Sequence, residues 1–177
     1  MLDCETSEGR KAIVREDFVK EYFAERENVI IKKPRNKASY DDGLMYRKGH
    51  PTKPDGLMGV CEIKSRVHWG RDAKTPFTLD KLMTASYLIT ESKLYHLRRM
   101  SREHNVNSYI LLHIPHDKCI LSFRVTDRNG EFLIRHKAQR TNTYNTVNDY
   151  KGKVNRVNAF IPMQENRRQL KLFKYGS

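Results

Sequence analysis

The chain has 177 residues, enough for one domain with a hydrophobic core and short for two. Its 34 Lys and Arg against 21 Asp and Glu leave a net charge of +13, a field that draws polyanions and puts nucleic acid ahead of an acidic protein as partner. No run of about 18 apolar residues provides a membrane span, "MLDCETSEGRK" lacks the basic-then-apolar order of a secretory signal, and Cys4, Cys61 and Cys119 have neither disulfide-framework nor zinc-ribbon spacing. The expectation is a reducing, cytoplasmic setting with Cys61 as a small core residue.

From Ser7 to Arg26, Ile13, Val14, Phe18, Val19, Tyr22 and Phe23 recur at helical spacings of three and four. "NVIIKKP" reads as a short strand closed by Pro34. "GLMYRK" and "GLMGVCEIKS" are apolar, β-compatible runs joined by "GHPTKPDG", and together they predict an antiparallel hairpin. After the turn formers of "HWGRDAKTP", the pattern from Thr78 to about His104 predicts one long helix, with Leu82, Ala85, Ile89, Leu97 and Met100 on a stripe and Thr78 or Asp80 as cap. "NSYILLHIP" and "KCILSFRVTD" are strand-like, and Pro115 and "HD" turn between them. "EFLIRHK" reads as a further strand, "QRTNTYNTVNDYKGKVNRVN" as loop, and "VNAFIPM" as a strand. Residues 151–177 carry seven Lys or Arg and one Glu. The alternation predicts an α/β layer structure, a mixed sheet with helices packed on it. A single domain spans 1–177, with its core at about 7–126 and a basic, β-containing extension at about 131–177.

The strand period of two puts Val60, Glu62 and Lys64 on one face and Cys61, Ile63 and Ser65 on the other, with Glu62 and Lys64 about 7 Å apart along the strand. Such a carboxylate can hold a hard divalent cation while the ammonium orients an attacking water and offsets charge on a pentacovalent phosphate. An ExK triplet alone is more often a surface ion pair worth under about 1 kcal/mol. A second acid is therefore needed. If "GHPTKPDG" is a turn centred on Thr52, paired residues have numbers summing to about 104, which sets Asp42 opposite Glu62. Opposed side chains sit about 5 Å apart, close enough to share an ion. Asp41 takes that position if the register slips by one. Asp55 falls in the turn, roughly 20 Å from Glu62 along the strand, where Pro-Asp-Gly serves chain reversal.

With "DDGLMYRK" and "GVCEIKSR" set between a helix and strand before and a helix and two strands after, the chain resembles the PD-(D/E)xK nuclease superfamily. The resemblance implies a restriction-endonuclease-like αβββαβ core and a divalent ion, Mg²⁺ or Mn²⁺, between Asp42 and Glu62. It further implies a main-chain carbonyl ligand from Ile63 and Lys64 as catalytic lysine. The Pro of the family motif is absent before Asp42, where Asp41 stands. Many members add a Glu from the first helix; here Glu16 lies within the apolar stripe, and Glu21 is the alternative. Lys93 on the long helix either snorkels to water or contacts phosphate at the rim of the site, and Arg66 is a second phosphate candidate. "HIPHDKC" spaces His113, His116 and Cys119 in threes, but a turn explains it more simply than zinc. Tyr144, Tyr150 and the basic C-terminus are candidates for a single-strand surface or plain packing anchors.

The function expected is metal-dependent hydrolysis of DNA phosphodiesters, endonuclease before exonuclease, in repair, recombination or viral DNA processing. A non-catalytic nucleic-acid-binding protein is the alternative. The pattern leaves RNA cleavage and oligomeric state open; a homo-oligomer would cut two strands or process along one.

Overall fold

A first helix, α1 (Ser7–Arg26), ends where Asn28 adopts a left-handed φ of 55°, a conformation an Asn side chain tolerates, and the chain reverses into β1 (Val29–Lys32). The computed structural model describes residues 7–33, 43–50, 54–69, 74–144 and 153–176. Then follow β2 (Gly43–Arg47), β3 (Leu57–Ser65), a short α2 (Leu79–Met83), β4 (Ser86–Thr90), α3 (Glu91–His104), β5 (Asn107–Ile114) and β6 (Cys119–Thr126). The chain continues through β7 (Lys137–Tyr144), β8 (Lys153–Pro162) and β9 (Leu170–Lys174).

The main sheet has six strands in the order β1-β2-β3-β5-β6-β9. It is mixed: β3 and β5 are parallel, and its other pairs are antiparallel. Parallel pairing requires a crossover, which α2, β4 and α3 supply. Helices cover both faces, so β5 and β6 read as continuous apolar runs without alternation. On one face α1 buries Val19 and Phe23 against Cys61, Ile63, Leu111 and Ile120. On the other, Leu94 and Leu97 of α3 pack with Val60, Ile110, Leu112 and Phe123. A second sheet, β4-β8-β7, lies on the α3 side and adds Tyr87, Ile89, Ala159 and Ile161 to that core.

The single long helix expected over Thr78 to His104 is broken in two. Thr78 does cap a helix, its hydroxyl accepting from the Lys81 amide at 3.4 Å, but that helix stops at Met83. Residues 86–90 then extend as β4, with Tyr87 and Ile89 buried, because β8 offers a complete antiparallel partner from Asn158 to Pro162. Aromatic and β-branched side chains at alternate positions favour that partner over continued helix. "EFLIRHK" likewise forms no strand of its own. After the turn at Gly130, whose φ is 80°, it meets β6 in one bridge between Phe132 and Thr126 and moves away.

The polar segment expected to be loop holds the longest pairing of the small sheet. β7 and β8 pair over eight residues, Lys137↔Phe160 through Tyr144↔Lys153. Asn158, buried, donates through Nδ2 to Thr141 Oγ1 at 2.6 Å and fixes the register. Asn166 clasps the base: its Oδ1 accepts from the Arg135 amide at 2.7 Å, and its Nδ2 donates to the carbonyls of Arg135 (2.9 Å) and Pro162 (2.7 Å).

No helix among the described residues is long and apolar enough to cross a membrane.

Candidate active site

β3 occupies the middle of the main sheet, between β2 and β5, so its side chains are enclosed by neighbouring strands and by the helix on each face. The strand period sends Val60, Glu62 and Lys64 toward α3, and Cys61 and Ile63 into the α1 core. Glu62 is fully buried. An ionised carboxylate at such a position costs several kcal/mol unless cations and hydrogen bonds compensate it, so a carboxylate here needs partners.

The partners are two lysines from different elements. Lys64, two residues along the strand, brings Nζ to 2.6 Å from Glu62 Oε1. Lys93, on the first turn of α3, straddles the carboxylate, with Nζ at 2.9 Å from Oε1 and 2.9 Å from Oε2. The carboxylate side chain is 1% exposed and the lysines 29% and 26%, so the cluster is closed behind the acid and open to solvent along the ammoniums. One carboxylate between two ammoniums leaves an excess positive charge facing outward, the sign a phosphodiester requires.

The hairpin register matches the expectation. Gly43 pairs with Cys61, Leu44 with Val60 and Met45 with Gly59, numbers that each sum to 104, before a bulge shifts the register at Tyr46. Asp41 and Asp42 lie outside the described residues. Asp55 sits exposed in a 3-10 turn, Pro54–Gly56, at the opposite end of β3 from Glu62 and Lys64. Among the described residues no three His, Cys, Asp or Glu side chains form a group able to hold a metal ion.

The remaining candidates divide. Ile63 buries its side chain against α1, which leaves its main chain between Glu62 and Lys64. Arg66 is exposed just past β3, with its amide donating to the His113 carbonyl at 3.0 Å. Glu16 approaches from the α1 face: its carboxylate meets Lys33 Nζ at 3.4 Å, and Lys33 directly follows β1, whose Lys32 pairs with Leu44. Glu16 thus reaches the Gly43 end of the hairpin from the face opposite Glu62, while Glu21 is exposed in a groove beside Tyr22, Lys174 and Tyr175.

The His and Cys of "HIPHDKC" do other work. His113 is buried, stacked on Phe18 at 5.0 Å, with Nε2 at 2.7 Å from the Tyr175 hydroxyl and Nδ1 at 3.4 Å from Ser65 Oγ. Burial, assisted by the charge of Arg15, lowers its pKa to about 4. Burial raises the Cys119 thiol to about 11, which makes it a poor nucleophile or metal ligand. Burial alone would raise the Asp117 carboxyl, yet the Leu79 amide that it accepts from, at the start of α2, and His116 hold it below the usual range.

Two features escaped the sequence reading. The closure of Lys93 onto Glu62 joins residues thirty-one positions apart, and no local pattern encodes it. The outer face of α3 lines an open groove with Tyr95, Arg98, Arg99 and Arg102, where Arg98 lies 5.4 Å from the Phe132 ring and donates to the Gly130 carbonyl. Helical spacing of three, four and seven from Tyr95 carries that stripe, and counting cations by face would have found it.

Comparison with protein-family models, with curated proteins and with solved structures returned no match.

Proposed function

We propose that this chain is a Mg²⁺- or Mn²⁺-dependent nuclease that hydrolyses phosphodiester bonds in DNA, an endonuclease of the PD-(D/E)xK kind. The observation that carries the reading is the fully buried Glu62 gripped by Lys64 and Lys93, on a strand whose hairpin partner begins at Gly43. A buried ion cluster contributes little to stability against an apolar replacement, so its presence in the sheet centre favours a chemical role. The succession α1, β1, β2, β3, α3, β5 supports an αβββαβ core, with α2 and β4 inserted before the second helix.

The donor set fits a hard cation. Glu62 would offer its carboxylate, Ile63 a main-chain carbonyl, and Asp42, outside the described residues, immediately precedes Gly43 in the sequence. Those three are the proposed ligands. A bound Mg²⁺ or Mn²⁺ supplies Lewis-acid polarisation of the phosphoryl oxygen and a lowered pKa for water. Lys64, whose Nζ lies 2.6 Å from Glu62 Oε1, would orient the attacking water and offset charge on the pentacovalent phosphorus. Lys93 takes a non-bridging phosphate oxygen from the α3 side. Arg66, exposed beyond the same strand end, holds a neighbouring phosphate, while Glu16, paired with Lys33 on the opposite face, is given no part in this arrangement. A non-catalytic nucleic-acid-binding protein is the competing reading, favoured by how fully the two lysines already neutralise Glu62.

Incubating the protein with plasmid and branched DNA in Mg²⁺ or Mn²⁺ tests the choice. Cleavage is expected, lost in EDTA and lost in Glu62→Gln. Intact DNA across Mn²⁺ concentrations and pH values overturns the enzyme reading.

A further inference from the structure

β4 pairs with β8 only from Pro162 to Asn158, ending at Thr90. Beyond that point β7 and β8 pair with each other alone among the described residues, for five pairs from Arg140↔Val157 to Tyr144↔Lys153. At about 3.4 Å per residue this two-stranded extension is about 17 Å long. Its base is anchored by the Asn158 and Asn166 hydrogen bonds, so its direction is set by the core.

The composition of the two strands is distinctive. β7 (KAQRTNTY) and β8 (KVNRVNAFIP) carry Lys137 at the three-stranded base, Arg140, Lys153 and Arg156 on the extension, and no acid, in a chain with 21 Asp and Glu. Gln139, Arg140, Asn142 and Asn155 are exposed. Charged side chains, Lys among them, ordinarily protect such open strand edges, and this ribbon carries cations alone with amides and hydroxyls between.

We infer that the β7–β8 ribbon is a docking arm that enters the major groove of duplex DNA. That groove, about 12 Å wide and about 8.5 Å deep, admits a two-stranded ribbon; Asn and Gln amides match base edges there, and the flanking Arg and Lys match phosphates. The arm springs from beside the candidate site: Thr90, paired with Asn158 at its base, immediately precedes α3, and Lys93 stands three residues on, about 4.5 Å along the helix axis. A duplex gripped by the ribbon is thereby held next to Lys93 and Glu62. The choice of DNA rests on the nuclease reading; the arm itself is testable without cleavage.

Binding of a short labelled duplex is measured in EDTA for the native chain and for the triple variant Lys137→Gln, Arg140→Gln, Arg156→Gln, with circular dichroism verifying the fold. Loss of three phosphate contacts lowers the slope of log K against log salt by about 2.7 and the affinity near 0.1 M salt by about two orders of magnitude. Dimethyl sulfate should find guanine N7, in the major groove, protected by the native chain and accessible with the variant. Unchanged duplex affinity overturns the arm, as does protection at adenine N3 in place of guanine N7, or weakened binding with guanine N7 never protected. Because no metal is present, these outcomes are independent of whether the chain cuts DNA.

Discussion

Replacing the buried ion cluster by apolar side chains separates a site kept for chemistry from one kept for the fold. Glu62→Leu with Lys64→Met and Lys93→Met preserves volume and removes all three charges. Glu62 shares its sheet face with Val60 and pairs with Ile110 of β5, both members of the α3-side apolar core, so a leucine has an apolar setting. Buried ion triads replaced this way leave stability unchanged or raise it by about 1–4 kcal/mol. In a chain of 177 residues each kcal/mol moves the Tm by about 2–4 °C, so the triple variant should melt at the native temperature or up to about 10 °C above it. Glu62→Gln alone strands two ammoniums against one another. Cost for a fully buried pair runs to about 3–5 kcal/mol, and lysines 29% and 26% exposed to water reduce it to about 2 kcal/mol, a fall of roughly 6 °C. Urea and thermal denaturation of both variants give the comparison, with DNA cleavage absent in each. A triple variant less stable than the native chain by more than about 2 kcal/mol would refute the reasoning, since the cluster would then be a structural fixture.

The register argument predicts that Asp42→Ala lowers cleavage by about 10²-fold or more, the scale of one lost transition-state contact, while Asp55→Ala stays within about twofold. Full activity in Asp42→Ala together with loss in Asp55→Ala would reverse the assignment. His113 makes stability depend on pH: its folded pKa of about 4 lies below the ordinary 6.5, so on acidification the unfolded chain takes up a proton that the folded chain refuses. Stability therefore falls between about pH 6.5 and pH 4, by about 3 kcal/mol in all from this group. The urea midpoint of His113→Gln should descend less over that window; parallel descents would show that His113 is not the group responsible.

Buried structure was legible in the sequence and exposed structure was not, for a physical reason. α1, the β2–β3 hairpin with its register, and the β5–β6 pair all carry apolar side chains whose period reports the burying partner. The β7–β8 ribbon has no apolar period along its distal part, where polar residues such as Asn142 and Asn155 are exposed, and so it resembled loop. β4 was misread because Leu82, Ala85 and Ile89 also fit a helix, and the decision is made by β8, far away in the chain. The same misreading touches Lys93, expected midway along one long helix and found on the first turn of α3. The lysine nevertheless faces inward, one position before the buried Leu94 and four before Leu97. Glu62 and Lys64 were visible from strand period alone; their second cation came from tertiary packing.

The β4–β8 pairing also orders events during synthesis. Glu62, Lys64 and Lys93 have all been made once the first turn of α3 is complete, yet the strand leading into α3 finds its partner only when Asn158 to Pro162 have been made. Until then β4 is an unpaired edge carrying Tyr87 and Ile89, and the helix that aims Lys93 at Glu62 is held from one end. The packing that sets Lys93 against Glu62 is therefore complete only once residues 158–162 are available to pair with β4.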